Sequence, residues 1–325
     1  MTTGAGTAVG AGAWTPDAMG DQSGRTVLVT GANSGLGFHV ATEFARRGAD
    51  VLLACRNAER ARAALARLDA EVADSGRRAR AEVVQLDTAD LASVRRAADI
   101  VLDNRSSIDV LVNNAGVMVP PLSRTADGFE LQVGTNHLGH FAFTGRLLPA
   151  LLAGDGARVV SVSSVAHRFN PLDRENYQSE TSYSKWHAYG QSKLSNLLFA
   201  LELNRRAGAA GAPITSVAAH PGVSDTNLWK STPLGGSKLG EKLGGVVNKA
   251  LGHPSDVAAW PLERAATEPD LLGGEFFGPD GFMQWRGFPV HVPAAPHGYD
   301  PSAAAWLWAR SVEWTGVDFA ALGSR

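Results

Sequence analysis

The sequence predicts an α/β fold in which crossover helices cover a doubly wound parallel sheet within a single domain. Short apolar runs alternate along the chain with segments of helical periodicity, the pattern of repeated strand–helix–strand units. A glycine-rich turn separates the first of these runs from the first helix, as a tight strand-to-helix connection requires. With 325 residues, of which 44% are hydrophobic and 19% charged, the chain is large enough to form one packed domain of this kind.

Strands are predicted where apolar and β-branched residues run together, as in a sheet that is buried on both faces. In chain order they are Thr26–Thr30, Asp50–Ala54, Ala81–Leu86, Ile108–Asn113, Arg158–Ser163, Ile214–Ala219 and Glu275–Gly278. The expected sheet therefore has about seven strands.

Helices are predicted between these strands. They are Leu36–Gly48, Ala58–Ala73, Ala89–Asn104, Asp127–Leu152 and Ser182–Arg206. The first of them ends at a glycine, the residue that most readily terminates a helix. A last helix is expected after Asp300, which suits the N-cap position, with Pro301 in its first turn. Its Trp306, Trp308 and Trp314 are expected to be packing residues rather than a ligand cage.

Two polar stretches interrupt this alternation and are the expected loops around a substrate. Residues 168–181 separate the fifth strand from the following helix, and residues 223–251, rich in Gly, Ser and Lys, follow the sixth strand. Long loops inside a compact domain often form lids or binding loops. Residues 1–23 are expected to be a flexible tail, which leaves residues 24–325 for the domain.

Charge and composition argue against several classes of protein. The net charge is −2 with acidic and basic residues mixed, which does not favour a nucleic-acid or membrane-surface partner. The chain has no apolar run of about 18 residues and no signal-peptide pattern, so we expect a cytoplasmic protein. His137, His140, His167 and His220 lack the short paired spacing of a zinc site, and no metal is expected.

The most informative pair of residues is Tyr189 and Lys193, four positions apart in a predicted helix. Side chains at this spacing share a helix face, so the lysine ammonium is expected near the tyrosine phenol. A neighbouring cation favours the phenolate and lowers a tyrosine pKa, which is ordinarily about 10. The pair therefore predicts an acid–base group that works at neutral pH. Tyr177 and Tyr183 have no lysine four residues later.

A nucleotide site is predicted at the glycine-rich turn between the first strand and the first helix. The spacing Gly31-x3-Gly35-x-Gly37 permits a tight turn and lets a phosphate approach the backbone closely. The amino end of the following helix presents N–H groups to that phosphate. The predicted contact residues are Gly31, Asn33, Ser34, Gly35, Leu36 and Gly37.

The end of the second strand indicates which nucleotide binds. NAD-binding sites usually carry an acidic residue there, which bonds the ribose 2′-hydroxyl. The chain has Ala54-Cys55-Arg56 instead, and because Arg56 can pair with a 2′-phosphate, the expected cofactor is NADP(H). The alternative is that Arg56 is a solvated surface residue. Cys55, the single cysteine, is expected to pack beside the adenine pocket rather than to act as a nucleophile.

Taken in order, these motifs resemble those of the short-chain dehydrogenase/reductase family. The set is Thr30–Gly37, Asn113–Gly116, Asn136, Ser163–Ser164, Tyr189-x3-Lys193, and His220–Gly222 followed by Thr226. The segments Ala54–Arg56, Asn136–Phe141 and Ser163–His167 are similar to the branch that includes retinol dehydrogenases, WW-domain oxidoreductases and protochlorophyllide reductases. The resemblance implies a Rossmann fold and an enzyme that interconverts a carbonyl and an alcohol by hydride transfer.

The resemblance also implies catalytic roles at matching positions. Tyr189 would exchange a proton with the substrate oxygen, while Lys193 would lower its pKa and hold the nicotinamide ribose. Ser164 would hydrogen-bond the substrate oxygen, with Ser163 as the alternative. Asn136 would bend its helix and anchor a water in a proton relay, unless it is only an exposed helix residue. A phenol and a hydroxyl aimed at one oxygen would stabilise the negative charge that develops there.

Further cofactor contacts follow from the same resemblance. Asn114, Ala115 and Gly116 would line the adenosine ribose. Asp87 would meet the adenine edge, or it is a plain helix cap before Ala89. The residues that would hold the nicotinamide amide are Pro221, Gly222, Val223 and Thr226.

One departure from the family pattern concerns the substrate. Ser164 and Tyr189 are 25 residues apart, wider than is usual, and residues 168–181 account for the excess. An apolar or aromatic substrate is suggested by Trp186 and, in the 223–251 stretch, by Leu228 and Trp229; the alternative is that these residues only pack.

We therefore expect an NADP(H)-dependent oxidoreductase that acts on a small carbonyl or alcohol substrate. One alternative is a redox-neutral enzyme on the same scaffold, such as a dehydratase, epimerase or cyclase. Another is a nucleotide-sensing regulator without catalysis. Because family members often pair through the helices beside the active site, a homo-dimer or tetramer is also expected.

Overall fold

One eight-stranded sheet forms the centre of the fold in the computed structural model, which describes residues 13–74, 76–223 and 254–323. The strands are β1 (Thr26–Thr30), β2 (Asp50–Cys55), β3 (Arg80–Gln85), β4 (Val110–Asn113), β5 (Ala157–Val162), β6 (Ile214–Ala219), β7 (Phe276–Pro279) and β8 (Pro289–His291). Their order is β3-β2-β1-β4-β5-β6-β7-β8. All neighbours pair in parallel except β8, which runs antiparallel to β7. The predicted doubly wound Rossmann fold is confirmed. The sheet has one strand more than predicted, because the three residues of β8 are too few to give a recognisable sequence pattern.

The functional crevice of such a sheet is set by where its strand order reverses. β1 pairs with β2 on one side and with β4 on the other, so the reversal lies at β1. Ligands of doubly wound folds bind in the crevice that this reversal opens at the carboxyl ends of the strands. The glycine-rich turn follows β1 directly and the Asn114–Gly116 segment follows β4, so both lie at this edge.

Helices bury the sheet on both faces. They are α1 (Gly35–Arg46), α2 (Ala58–Ala73), α3 (Leu91–Asn104), α4 (Leu131–Val133), α5 (Gly139–Arg146), α6 (Leu148–Ala153), α7 (Lys185–Ala210), α8 (Ser255–Thr267) and α9 (Pro301–Thr315). α1, α2 and α8 pack on one face, and α3, α5, α6, α7 and α9 contribute to the core on the other. Val27, Leu28 and Val29 point alternately to the two faces and are all fully buried, which explains the unbroken apolar run of β1.

The helix predicted over Asp127–Leu152 is not continuous, and that prediction is wrong. A π-helical turn, Gly134–Leu138, lies between α4 and α5, where the N–H of Gly139 donates to the carbonyl of Gly134. One extra residue in a helical turn is not visible in the hydrophobic pattern of the sequence. Such π-helical turns are frequent at functional sites. A separate helix, α6, then begins with a proline in its first turn, a position that needs no backbone donor.

Both ends of the described chain are attached to the domain. A 3₁₀ turn at Pro16–Met19 places Met19 in the core, so the packed domain begins before residue 24 and the predicted tail of residues 1–23 is too long. Residues 1–12 lie outside the described residues. At the other end, Asp300 accepts a hydrogen bond from the Ser302 N–H at 2.8 Å and Pro301 opens α9, as predicted. Trp308 of this helix is buried in the core, as expected for a packing residue.

The predicted 168–181 loop packs against two helices. Tyr177 within it is buried, its hydroxyl lies 2.7 Å from Ser195 Oγ on α7, and its ring stacks on Trp314 of α9 at 5.5 Å. In the predicted 223–251 loop, only Val223 is among the described residues, so Leu228 and Trp229 lie outside them.

No helix in the described ranges is both long enough and apolar enough to cross a membrane.

Candidate active site

α7 carries Tyr189 and Lys193 one turn apart, beside the carboxyl end of β5. The Lys193 ammonium lies 5.8 Å from the centre of the Tyr189 ring, and both side chains are less than a tenth exposed. Lys193 Nζ donates to the carbonyl of Val162, the last residue of β5, at 3.1 Å. The spacing thus places the two side chains on one helix face, as the sequence predicted.

The structure distinguishes the two serines that follow β5. Ser163 is buried and its hydroxyl donates to the backbone carbonyl of Lys193 at 2.8 Å, so it fastens β5 to α7. Ser164 is partly exposed, and its side chain is the one that lowers the pKa of the Tyr189 phenol. It is the N-cap of a 3₁₀ turn, Val165–Arg168, and its Oγ accepts from the Ala166 N–H at 3.3 Å. Ser164 therefore acts on Tyr189, whereas Ser163 bonds the backbone of α7.

The direction of the Tyr189 pKa shift contradicts the expectation from sequence. Burial raises the pKa of Tyr189 to about 12, and the hydrogen bond with Ser164 offsets this only in part. The Lys193 ammonium does not reverse the shift; burial lowers the pKa of that amine to about 8. In the chain by itself, Tyr189 is therefore a protonated phenol at neutral pH and Lys193 is still mostly charged.

Asn136 lies within the π-helical turn and is completely buried, so its interpretation as an exposed helix residue is wrong. Its amide nitrogen donates to the Val117 carbonyl and to Ser192 Oγ, both at 2.9 Å, and its Oδ1 accepts from the Val117 N–H at 2.8 Å. These contacts join the segment after β4 to α7. A Cβ on Gly116 would lie 3.0 Å from Asn136 Oδ1 and 3.8 Å from Lys193 Nζ, so this glycine borders both.

The glycine-rich turn has the shape of a phosphate cradle. Gly31 and Gly35 adopt positive φ angles of 69° and 57°, which favour glycine. A Cβ on Gly37 would lie 2.4 Å from Asn114 Nδ2, which itself donates to the Thr30 carbonyl at 2.8 Å. The turn is thus closed against the segment after β4, leaving the amino end of α1 directed at the crevice. The predicted residues Asn33, Ser34 and Leu36 belong to this same turn and helix start. These residues fit a dinucleotide phosphate.

The end of β2 presents an exposed arginine. Arg56 has a side chain that is 72% exposed, and its Nε lies 4.0 Å from Asp87 Oδ2. Asp87 Oδ1 also accepts from the Ala89 N–H at 2.9 Å, but α3 begins at Leu91 and its N-cap is Asp90, so the interpretation of Asp87 as the helix cap is wrong. Cys55 beside it is buried, and burial raises the pKa of its thiol to about 11, which does not suit a nucleophile.

The segment after β6 lies against the loop between β7 and β8. The Val223 N–H donates to the Trp285 carbonyl at 2.8 Å. Gly222, with φ at 71°, approaches the same carbonyl so closely that a Cβ would lie 2.3 Å from it. Pro221, Gly222 and Val223 are therefore held at the crevice edge, whereas Thr226 lies outside the described residues.

His140 connects the cofactor crevice to Asn136 through hydrogen bonds. Its Nδ1 lies 2.9 Å from the Asn136 carbonyl, and its Nε2 lies 2.8 Å from Thr30 Oγ1. A carbonyl can only accept, so Nδ1 carries the proton and Nε2 accepts from the threonine hydroxyl. Thr30 Oγ1 in turn accepts from the Asn114 and Ala115 N–H groups, both at 2.9 Å. Burial lowers the pKa of His140 to about 4, so it is neutral at pH 7.

Two other buried histidines support the loops around the crevice. His167 Nδ1 donates to the Ser164 carbonyl at 2.7 Å, and its Nε2 accepts from the Ala295 N–H at 3.1 Å. His220 Nε2 lies 3.0 Å from Gln284 Oε1. Burial lowers their pKa values to about 4 and about 3, respectively. Within the described ranges, no three His, Cys, Asp or Glu side chains are grouped so that they could hold a metal ion.

Comparison with known sequences gives a family match over most of the chain. The sequence profile described as short chain dehydrogenase matches residues 25–235. Human retinol dehydrogenase 13 is 38% identical over 298 residues, which cover 91% of this chain and 86% of that protein.

Solved structures give the same fold. The crystal structure of an uncharacterised protein from Mycobacterium Paratuberculosis has a TM-score of 0.77 and 41% identity, covering 95% of this chain and 99% of that one. A short chain dehydrogenase from Burkholderia cenocepacia J2315, crystallised in complex with NADP, has a TM-score of 0.58 and 26% identity, covering 78% of this chain and 96% of that one.

Proposed function

The chain belongs to the short-chain dehydrogenase/reductase family, in the branch of the retinol dehydrogenases, and we propose that Ser164, Tyr189 and Lys193 carry its chemistry. It is an oxidoreductase of alcohol and carbonyl groups that uses NADP(H). The observation that carries the proposal is the convergence of three side chains: the Lys193 ammonium lies 5.8 Å from the centre of the Tyr189 ring, and Ser164 is the serine that acts on the Tyr189 phenol.

In this proposal, Tyr189 is the general acid of carbonyl reduction. The glycine-rich turn at Gly31, Gly35 and Gly37 would hold NADPH, which would supply the hydride to the carbonyl carbon. The Tyr189 phenol, protonated at neutral pH because of its burial, donates its proton to the substrate oxygen. The Ser164 hydroxyl donates a hydrogen bond to the same oxygen and stabilises the charge that develops there. The Lys193 ammonium then lies close to the phenolate that remains on Tyr189 and stabilises it.

The side chains around Tyr189 favour an apolar substrate. Tyr189 packs with Val119, Ala166 and Met118 in a small apolar cluster, and the Trp186 ring meets the tyrosine edge-on at 6.3 Å. Human retinol dehydrogenase 13 is named for an apolar alcohol of this kind. We therefore infer that the substrates are apolar or aromatic aldehydes and ketones and the corresponding alcohols.

Replacement of Tyr189 by phenylalanine tests this assignment. Tyr189→Phe should lower kcat for NADPH consumption on retinal and other apolar aldehydes by about 10²–10⁴-fold, the usual contribution of an acid–base group. Binding of NADPH, followed by titration, should stay within about twofold, because the ring is kept. Unchanged turnover would show that Tyr189 is not the acid.

The same assay distinguishes the oxidoreductase from its two alternatives, the redox-neutral enzyme and the nucleotide sensor. If the wild-type chain binds NADPH but consumes it with no carbonyl, and NADP⁺ is not reduced by any alcohol, the redox-neutral enzyme and the nucleotide sensor become the better hypotheses.

A further inference from the structure

Val119 has a backbone conformation that is unusual for its residue type. Its φ angle is 49°, in the left-handed region that β-branched residues rarely adopt. The residue is only 2% exposed, so protein atoms rather than solvent surround this backbone conformation. Strained conformations persist where surrounding contacts over-determine them, and they concentrate at functional sites.

Two side chains hold the backbone on either side of Val119. Gln132 Oε1 accepts from the Val119 N–H at 2.8 Å, and the Tyr183 hydroxyl donates to the Pro120 carbonyl at 2.8 Å. Gln132 Nε2 joins these two contacts, since it donates to Tyr183 Oη at 3.2 Å and to the Lys185 carbonyl at 2.9 Å. Gln132 is fully buried, so its hydrogen bond with the Val119 N–H is shielded from water, whereas the contacts of Tyr183 are only partly buried.

The strained residue lies in the same buried cluster as the proposed catalytic group. Val119 packs in one small buried cluster with Ala166 and Tyr189, and Met118 packs against that cluster. The Ala166 N–H in turn donates to Ser164 Oγ. Val119 thus belongs to the cluster that contains the tyrosine ring and the turn that carries the serine.

We propose that Gln132 and Tyr183 are positioning residues, which hold Val119 in its strained conformation so that its side chain fixes the Tyr189 ring relative to Ser164. This inference rests on the proposed function, because it concerns the orientation of the proposed acid. Gln132 and Tyr183 act through Val119 and donate no proton to the substrate.

Tyr183→Phe is the sharpest test, because it removes one hydroxyl and keeps the ring. We expect kcat for aldehyde reduction to fall about tenfold, since small misplacements of reacting groups are costly. KM for the aldehyde and the dissociation constant of NADPH should both stay within about twofold, since neither ligand loses a contact.

Tyr177→Phe is the matched control. It also removes a tyrosine hydroxyl that hydrogen-bonds a neighbour, Ser195 Oγ at 2.7 Å, but Tyr177 packs among α7 and α9 residues instead of the Val119 cluster. We expect this variant to lose thermal stability and to keep wild-type kcat. Equal losses of kcat in both variants would indicate a general effect of stability and would overturn the proposal.

Val119→Gly separates the contact from the strain. Glycine adopts positive φ readily, so this variant keeps the turn while removing the side chain that packs in the Tyr189 cluster. The proposal predicts a kcat about tenfold lower with Tm maintained, because relief of strain offsets the lost burial. Wild-type kcat in Tyr183→Phe or in Val119→Gly would overturn the positioning role. Full activity of Tyr189→Phe would instead refute the proposed function itself.

Discussion

The two ends of the cofactor crevice differ in how the protein controls charge. At the β5–α7 end, Tyr189 and Lys193 are buried, and burial shifts both pKa values toward the neutral forms. At the β2 end, Arg56 is 72% exposed and its nearest acid, Asp87, is 4.0 Å away. Water screens the second pair far more than the first.

Mutations should therefore be more costly at the buried end of the crevice than at the exposed end. A buried ionisable group has no solvent to replace a lost partner, so changes there should affect the reaction strongly. An exposed arginine can be replaced with a small loss, because its contribution is discounted by water and salt. The comparison yields three predictions of decreasing size.

Lys193→Met should cause the largest loss. It removes the cation beside Tyr189 and leaves the Val162 carbonyl, which Lys193 contacts at 3.1 Å, without that donor. We expect kcat/KM for aldehyde reduction to fall at least about 100-fold, about 2.7 kcal/mol of transition-state stabilisation. Steady-state kinetics with NADPH as varied substrate measures this. Retention of most activity would mean that the buried end does not depend on its charge.

The pH dependence of reduction should follow the Lys193 ammonium. Burial lowers the pKa of Lys193 to about 8, so the cation is present below that pH and is lost as the pH rises through it. Tyr189, with a pKa of about 12, and the neutral histidines His140, His167 and His220, with values near 3 to 4, do not titrate between pH 6 and 9. The rate constant should therefore be level near pH 6 to 7 and should fall about tenfold per pH unit above about 8.

pH–rate profiles of the wild type and of Arg56→Ala test whether Lys193 causes the decline. Both should show the same decline, because Arg56 lies at the other end of the crevice. A decline that persists in Lys193→Met would have to come from another group.

Arg56→Ala should have the smallest effect, and a selective one. KM for NADPH should rise about fivefold, since an exposed charge pair is worth about 1 kcal/mol at most, while KM for NADH should not change. Arg60, which is also exposed and lies one turn further along, provides the control: Arg60→Ala should alter neither constant. Equal effects of Arg56→Ala on the two nucleotides would show that the 2′-phosphate is not its partner.

Much of the fold was predictable from local patterns. The strands β1 and β6, the helix α2 and the Asp300 cap of α9 match the predicted bounds, because a continuous apolar run or a capping residue determines each of them locally. β8 and the π turn at Gly134–Leu138 were missed. A three-residue edge strand and one extra residue in a turn both depend on contacts with distant chain segments.

For the site, sequence spacing was enough to predict that Tyr189 and Lys193 share a helix face, because helical spacing is a local property. The choice between Ser163 and Ser164 needed the packed structure, since the two hydroxyls differ in which neighbour they face. It also decided the direction of the Tyr189 pKa shift, because burial is a property of the whole packed core. The strain at Val119 likewise depends on the tertiary structure, because Gln132 and Tyr183, which hold it, lie 13 and 64 residues further along the chain.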